Sequence, residues 1–166
     1  MKANRTKAAV ISIVAFFLVL SSLSFASAEE YHAMKGVDSA NAIFDMRDGI
    51  PKSAAVHMQL ILDTYKELGA MKKKPDFVVV FMASAVKLIS SNRSEFSSED
   101  QKYLKEIADT ISKMCAAGIR LEVCLFAVKY FGVEPASISS RIKQVGNGWI
   151  SEIGYQGKGY RLVPVY

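Results

Sequence analysis

Apolar runs and amphipathic segments alternate along most of the chain. The clearest strand-like run is residues 77–82, which are apolar at every position, as expected of a strand covered on both faces. Further segments have the lengths of strands and are bounded by Gly, Pro or polar residues. The predicted strands span residues 42–46, 77–82, 119–125, 142–145 and 160–165. Because helical segments separate them, the pattern predicts right-handed crossovers and a mainly parallel sheet.

Helical periodicity fills the gaps between these strands. Apolar residues after Pro51 recur at spacings of three and four, which predicts a helix that ends before Gly69. Ser97 and Asp100 form the N-terminal signal of a second long helix, and Gly118 is its expected stop. Shorter helices are predicted at residues 84–89, 126–131, 135–140 and 149–156. The pattern therefore predicts one domain over residues 29–166. We expect an α/β fold, a three-layer α/β/α sandwich with a five-stranded mainly parallel sheet, flavodoxin-like in appearance.

The first 28 residues have the organisation of an export signal. Residues 1–7 are basic, residues 8–20 are almost wholly apolar, and Ala26-Ser27-Ala28 places small residues where a signal peptidase cleaves. This order predicts a signal peptide over residues 1–28 and a periplasmic mature protein that begins at Glu29. The alternative is an uncleaved membrane anchor, but the apolar run is shorter than the roughly 20 residues that span a bilayer. We therefore expect no stable membrane insertion after cleavage.

Composition excludes several functional classes. The chain has 166 residues with a formal net charge of +5, but 3 of its 21 basic residues lie in the predicted signal peptide, which leaves 18 basic against 16 acidic residues. A nearly neutral mature chain gives no reason to expect a nucleic-acid partner. With only two cysteines and two distant histidines, His32 and His57, no metal site is expected. Dinucleotide and Walker motifs are missing, so no cofactor is expected, and a flavin protein is the weakest alternative.

Candidate chemistry lies where the predicted strands end. Ligands of open parallel sheets bind beyond the carboxyl ends of the strands, a rule that selects residues 47–48, 83–84, 124 and 146–148. The candidate site residues among them are Arg47, Ser84, Cys124 and Asn147. Cys124 ends the third strand, and the N–H groups of the helical turn after it favour the nucleophilic thiolate. The alternative is that Cys124 is a small buried hydrophobic residue. Arg47 either holds an anionic ligand near Cys124 or pairs at the surface with Asp48.

A disulfide between Cys115 and Cys124 is not expected, although export would favour one. The strand between the two residues covers roughly 15–20 Å, whereas a disulfide needs Cα atoms within about 7 Å. Cys115 lies on the apolar stripe of its helix and is interpreted as a packing residue.

Several segments together resemble the DsrE/DsrF-like sulfur-relay family over residues 37–165. The residues that carry the resemblance are Pro75-Asp76-Phe77-Val78-Val79-Val80-Phe81, Gly118-Ile119-Arg120-Leu121-Glu122-Val123-Cys124, Val145-Gly146-Asn147-Gly148-Trp149 and Gly157-Lys158-Gly159-Tyr160. The resemblance implies a three-layer α/β fold, frequent oligomerisation and, in cytoplasmic members, a persulfide carried on a cysteine that matches Cys124. The chain departs from the family pattern at Ala83, where relatives often have Gly, and in its predicted signal peptide.

Two functions follow as alternatives. In the first, the protein is a periplasmic sulfur carrier that uses Cys124, with candidate ligand contacts from Arg47, Ser84 and Asn147. Its partners are then a sulfur donor or acceptor protein or a small sulfur species, together with further copies of the chain in a homo-oligomer. In the second, it is a non-catalytic binding or assembly module in which Cys124 is merely packed. Either way, a carrier or binding protein is favoured over a turnover enzyme.

Overall fold

The computed structural model describes residues 31–166, so the predicted signal peptide lies outside the described residues. The described part of the first unit, residues 31–35, holds a 3₁₀ turn at His32–Met34. Gly36–Tyr166 form the second unit, which contains all the described strands. The predicted domain start at residue 29 stays a prediction. Within the described range, no helix combines the length and the apolar character needed to cross a bilayer.

The sheet has five strands, all parallel, in the order β4-β3-β2-β1-β5. They are β1 (Ser39–Met46), β2 (Lys74–Phe81), β3 (Arg120–Cys124), β4 (Lys143–Val145) and β5 (Arg161–Val165). The central strand β2 carries Val78, Val79 and Val80, which are fully buried. The predicted α/β sandwich with a five-stranded parallel sheet is therefore confirmed, and residues 77–81 do form its centre.

Helices cover both faces of this sheet. They are α1 (Pro51–Ala70), α2 (Gln101–Ala117), α3 (Leu125–Tyr130) and α4 (Gly148–Gly157), with 3₁₀ helices at Ala83–Lys87 and Pro135–Ser137. The long helices α1 and α2 pack on each other, and Tyr65 of α1 meets the Phe77 ring edge-on at 5.3 Å. The connection from β4 to β5 passes through α4 and crosses the sheet from one edge to the other, in the direction opposite to the earlier connections. A right-handed crossover in that direction places α4 on the face opposite to α1 and α2.

The end of α1 differs from the prediction. The helix continues through Gly69 to Ala70, and Lys72 takes the left-handed conformation, with φ at 59°. The amide of Lys73 donates to the Leu68 carbonyl and that of Lys72 to Gly69, both at 2.9 Å. This is a Schellman motif built on lysine instead of glycine, so the predicted stop at Gly69 is wrong. At α2 the expectation is confirmed, because Gly118 has φ at 89° and ends that helix.

Other boundaries shift by a few residues. Ser97 and Asp100 do bond reciprocally, with the Ser97 hydroxyl 2.7 Å from the Asp100 carboxylate, and α2 begins directly after them. The strand β2 starts at Lys74, three residues before the predicted start at residue 77, because a proline such as Pro75 is tolerated near the first ladder bonds of a strand. The short helices predicted at 84–89 and 135–140 are briefer 3₁₀ helices.

Candidate functional site

A cleft of about 250 Å³ opens at the carboxyl edge of the sheet. The backbone beyond the strands is fixed there, because the Arg47 amide donates to the Val165 carbonyl and the Met82 amide donates to that of Met46, each at 2.9 Å. Arg47, Cys124 and Asn147 line the cleft together. Three of the four residues selected from sequence are thus brought into one place.

Ser84, the fourth predicted residue, does not belong to the cleft lining. Its hydroxyl lies 3.5 Å from the Arg47 carbonyl, and its side chain faces Gly49. A Cβ at position 49 would collide with the Ser84 side chain, so Gly49 is needed for this close approach. Ser84 therefore braces the loop that carries Arg47, and its direct contact with a ligand remains a prediction.

Cys124 lies at the inner end of the cleft. It precedes the first residue of α3 with extended backbone angles, and only 5% of the residue is exposed. The first residue of α4, Gly148, faces it: a Cβ there would lie 3.1 Å from the Cys124 Cβ and would collide with Met82. The absence of a side chain at position 148 thus lets α4 approach the thiol. Cys124 and Cys115 are both free, and Cys115 is half-buried against the core.

Asn147 caps the helix that closes this side of the cleft. Its side-chain oxygen accepts from the Trp149 amide at 3.0 Å. An N-terminal amide of α4 is thereby satisfied. Because the cap occupies the oxygen, a ligand would meet the NH₂ group of Asn147.

Arg47 supplies the cationic group of the cleft, and its partner is Asp45. The Arg47 Nε donates to Asp45 Oδ2 at 2.6 Å. The alternative pairing with Asp48 is wrong, because Asp48 accepts from the Ile50 amide at 2.9 Å and lies 3.0 Å from His57 Nδ1. Partial burial opposes the charge of Arg47, but the hydrogen bond and charge of Asp45 outweigh it and raise the Arg47 pKa.

The walls of the cleft are mainly apolar and aromatic. They include Met82, Phe126, Tyr130, Phe131 and Trp149. Phe126, Tyr130 and Trp149 are also largely exposed outside the cleft. A bound molecule would therefore meet one cation and one thiol within an apolar frame.

Ala83, on the same wall, is held in the left-handed conformation with φ at 49°. This is the position at which the chain departs from the family resemblance by lacking Gly. A non-glycine residue in this conformation carries about 1–2 kcal/mol of strain. The backbone at position 83 thus takes a conformation that glycine adopts without strain.

Three buried acids where α4 packs on the sheet were not predicted from the sequence. Asp45 of β1, Glu122 of β3 and Glu152 of α4 are all buried, and in each case one carboxyl oxygen finds no hydrogen-bond donor among the described residues. Burial raises the pKa of Glu152 to about 7, the charge and hydrogen bond of Asp45 act in the same direction, and Arg47 opposes them. The sequence signal for Asp45 and Glu122 was an acidic residue within each of two predicted strands, 42–46 and 119–125, in a sheet that helices cover on both faces.

Glu122 belongs to a second polar group on the same face. It accepts from the Tyr155 hydroxyl at 3.0 Å, and the Arg120 guanidinium lies 5.2 Å from the Tyr155 ring centroid. Arg120 also bonds Asp76 and the Tyr160 hydroxyl. Because Asp76 and Arg120 lie near the amino ends of their strands, this group ties α4 to the sheet away from the cleft. No cluster of three His, Cys, Asp or Glu residues suited to a metal ion occurs within residues 31–166.

Comparisons with known proteins agree with this fold. The DsrE/DsrF-like family model matches residues 16–165. A solved protein of unknown function from Methanobacterium thermoautotrophicum is similar, with a TM-score of 0.55 and 16% identity over 76% of this chain and 100% of its own. The ychN protein of E. coli has a TM-score of 0.51 and 12% identity over 75% of this chain and 99% of its own. At these identities both structures bear on the fold alone. Among the curated proteins no significant match is found.

Proposed function

The chain belongs to the DsrE/DsrF-like family, and from that premise we propose that it is a sulfur carrier that holds a persulfide on Cys124. The observation that carries the proposal is that Cys124 and Arg47 line the same cleft. A persulfide is an anion at neutral pH, and a guanidinium in a partly apolar cleft stabilises such an anion more strongly than it would in water.

The proposed chemistry needs only one exchange of sulfur. The Cys124 thiolate attacks the outer sulfur of a persulfide donor R–S–SH. A new S–S bond forms to Cys124, the S–S bond of the donor breaks, and R–S⁻ leaves. The products are Cys124–S–SH and R–S⁻, so atoms, charge and electrons balance without an added oxidant. Loss of a proton then gives the persulfide anion that Arg47 would hold.

The burial of Cys124 supports a carrier more than a turnover enzyme. Cys124 is 5% exposed and lines the cleft, so carried sulfur would be shielded from small reductants in bulk solvent. Reloading and unloading would then need either a small sulfur species that enters the cleft or a protein whose cysteine reaches it. The signal-like residues 1–28 support action in the periplasm, where donor and acceptor differ from those of cytoplasmic relatives.

Sulfur loading of the two cysteines tests the proposal. We expect neutral iodoacetamide to label Cys124 faster than Cys115 at pH 7. We also expect glutathione persulfide or thiosulfate to add the mass of one sulfur atom to the native protein. Cys124→Ser should abolish this mass increase, whereas Cys115→Ser should retain it. If Cys124 resists labelling until the protein is denatured, the carrier function is wrong for this chain.

A second candidate function is supported by the exposed apolar residues beside the cleft. Phe126, Tyr130 and Trp149 surround its mouth, and Ile150 and Ile153 lie exposed on α4. Apolar patches of this kind mark interaction surfaces. In this alternative the protein is a binding or assembly module in which Cys124 packs without reacting.

Association of the chain with itself is part of both candidates. We propose a homo-oligomer in which the exposed face of α4 is covered. Light scattering should give a multimer at micromolar concentration, and Ile153→Asp should lower the mass to that of a monomer. Val56→Asp is the matched control, because Val56 of α1 is 63% exposed and Ile153 is 69% exposed. A wild-type monomer would count against this proposal.

A further inference from the structure

We infer that Asp45 and Glu152 share one proton and that this pair is a positioning unit for Arg47. The cleft captures anions while the proton is held, and it captures them less well once the proton is lost. The inference rests on the cleft and its cation, and it holds whether or not sulfur is transferred to Cys124.

The two carboxyl groups meet in a buried place. Asp45 lies on β1 and is 4% exposed, while Glu152 lies on α4 and is 6% exposed. The helix α4, which carries Glu152, packs against β1, which carries Asp45. Asp45 binds Arg47 at 2.6 Å, and Arg47 lines the cleft. The pair therefore acts on an anion in the cleft through Arg47.

Hydrogen-bond accounting favours a proton between the two groups. An ionised carboxylate only accepts hydrogen bonds. Asp45 Oδ1 and Glu152 Oε1 are both buried without a hydrogen-bond partner among the described residues, and the charge and hydrogen-bonding of Asp45 both favour a protonated Glu152. A single proton held between them satisfies both oxygens. Buried acids in contact behave in this way because two adjacent negative charges cannot both be stabilised.

The surrounding groups determine what loss of the proton does. Around Glu152, β1 presents Asp45 and, beyond it, Arg47. Strand β3 presents Glu122, which is bonded to Tyr155 of α4, and Cys124 at its end. Farther from the cleft, Arg120 of β3 is paired with Asp76 of β2, and the later β2 residues on this face are apolar. Tyr166, after β5, also acts to raise the pKa of Arg47. With the proton in place, the single charge of the pair balances Arg47; without it, the wall of the cleft carries a net negative charge.

This change falls in the neutral range, since burial and the neighbouring Asp45 raise the pKa of Glu152 to about 7. A unit charge within about 10 Å of a partly hydrated cleft changes the local concentration of a singly charged anion by roughly three- to fivefold. Anion capture at Arg47 should therefore weaken as the pH rises through neutrality.

Two alkylating reagents measure this effect at Cys124. Iodoacetate is an anion and iodoacetamide is neutral, and both react with the same thiolate, so the ratio of their rates cancels the fraction of thiolate. For the native protein, we expect the iodoacetate-to-iodoacetamide ratio at Cys124 to fall roughly three- to fivefold between pH 6 and 8.5. Glu152→Gln should hold the ratio near its value at pH 6 throughout. Glu122→Gln, which removes another buried acid on the same face, should keep the wild-type fall.

A second measurement does not need a reactive cysteine. In the native protein, the ¹³C signal of the Glu152 carboxyl group should titrate near neutrality, and the ¹⁵Nε signal of Arg47 should follow with the same midpoint. The Arg47 shift should vanish in Glu152→Gln and persist in Glu122→Gln. A constant alkylation ratio, or an Arg47 signal that ignores the titration of Glu152, overturns the inference. If Cys124 reacts with neither reagent, the sulfur-carrier function fails, and the Arg47 signal alone decides about the positioning unit.

Discussion

Glu152→Gln should stabilise the protein above pH 7 and do so much less at pH 5. The glutamine amide donates a hydrogen bond to Asp45 as the shared proton does, but it cannot ionise. In the wild-type protein, the Glu152 pKa of about 7 lies above its ordinary value of 4.5. Between these values the folded protein keeps a proton that the unfolded chain has released, so raising the pH removes stability.

The magnitude follows from the difference between the two pKa values. Each pKa unit corresponds to about 1.4 kcal/mol, so ionisation of Glu152 costs the wild-type fold on the order of 3 kcal/mol once the pH exceeds 7. Some relaxation around Asp45 and Arg47 reduces this cost, and a gain of about 2–3 kcal/mol at pH 8 is expected for Glu152→Gln. With a urea m-value of about 1–3 kcal/mol per molar, the unfolding midpoint should rise by roughly 1 M or more.

Urea unfolding followed by circular dichroism at pH 5 and pH 8 measures the effect. Glu106→Gln, which removes an exposed acid on α2, controls for the change in charge alone. The decisive quantity is the difference between the two pH values for each variant. A Glu152→Gln gain that is equal at both pH values, or a loss at pH 8, would show that Asp45 and Glu152 do not share a proton.

The remaining predictions concern the cleft backbone and the chain terminus. Ala83→Gly should raise the free energy of unfolding by about 0.5–1 kcal/mol in the same urea assay, because relief of the left-handed strain outweighs the greater entropy of the unfolded chain. A loss of stability would show that the strain is absent. Gly148→Ala should cost about 1–3 kcal/mol and slow iodoacetamide labelling of Cys124, because its Cβ meets Met82 and Cys124. Gly154→Ala, with open space around its Cβ in the same helix, should cost nothing, and equal effects would refute the steric reasoning. N-terminal sequencing of the exported protein should begin at Glu29, and recovery of the full chain in membranes would contradict cleavage.

The sheet could be predicted from the sequence because each strand carries its own signal. Residues 77–81 are apolar without interruption, and Gly118 ends α2 in the left-handed conformation that glycine adopts without strain. The prediction that α1 ends before Gly69 was wrong for a physical reason. The hydrogen bonds that close α1 could be made two residues later, and Lys72 accepts the unfavourable backbone angle to make them.

The site could be predicted only in part. The rule for parallel sheets places Arg47, Cys124 and Asn147 at one edge, since it depends on chain direction alone. It does not say which way a side chain turns, so Ser84 was expected in the cleft but contacts the Arg47 loop instead. The Asp45–Glu152 pair joins positions far apart in the chain, and only the packing of α4 on the sheet brings them together.

The order of the strands also determines when during folding the site is completed. On one side, β1 pairs with β2, the next strand in the chain. On its other side, β1 pairs with β5, the last strand in the chain. The Arg47 amide has its acceptor, the Val165 carbonyl, only after that last strand has docked. A chain in which β5 has not yet docked therefore holds Cys124 without the anchored loop of its cation.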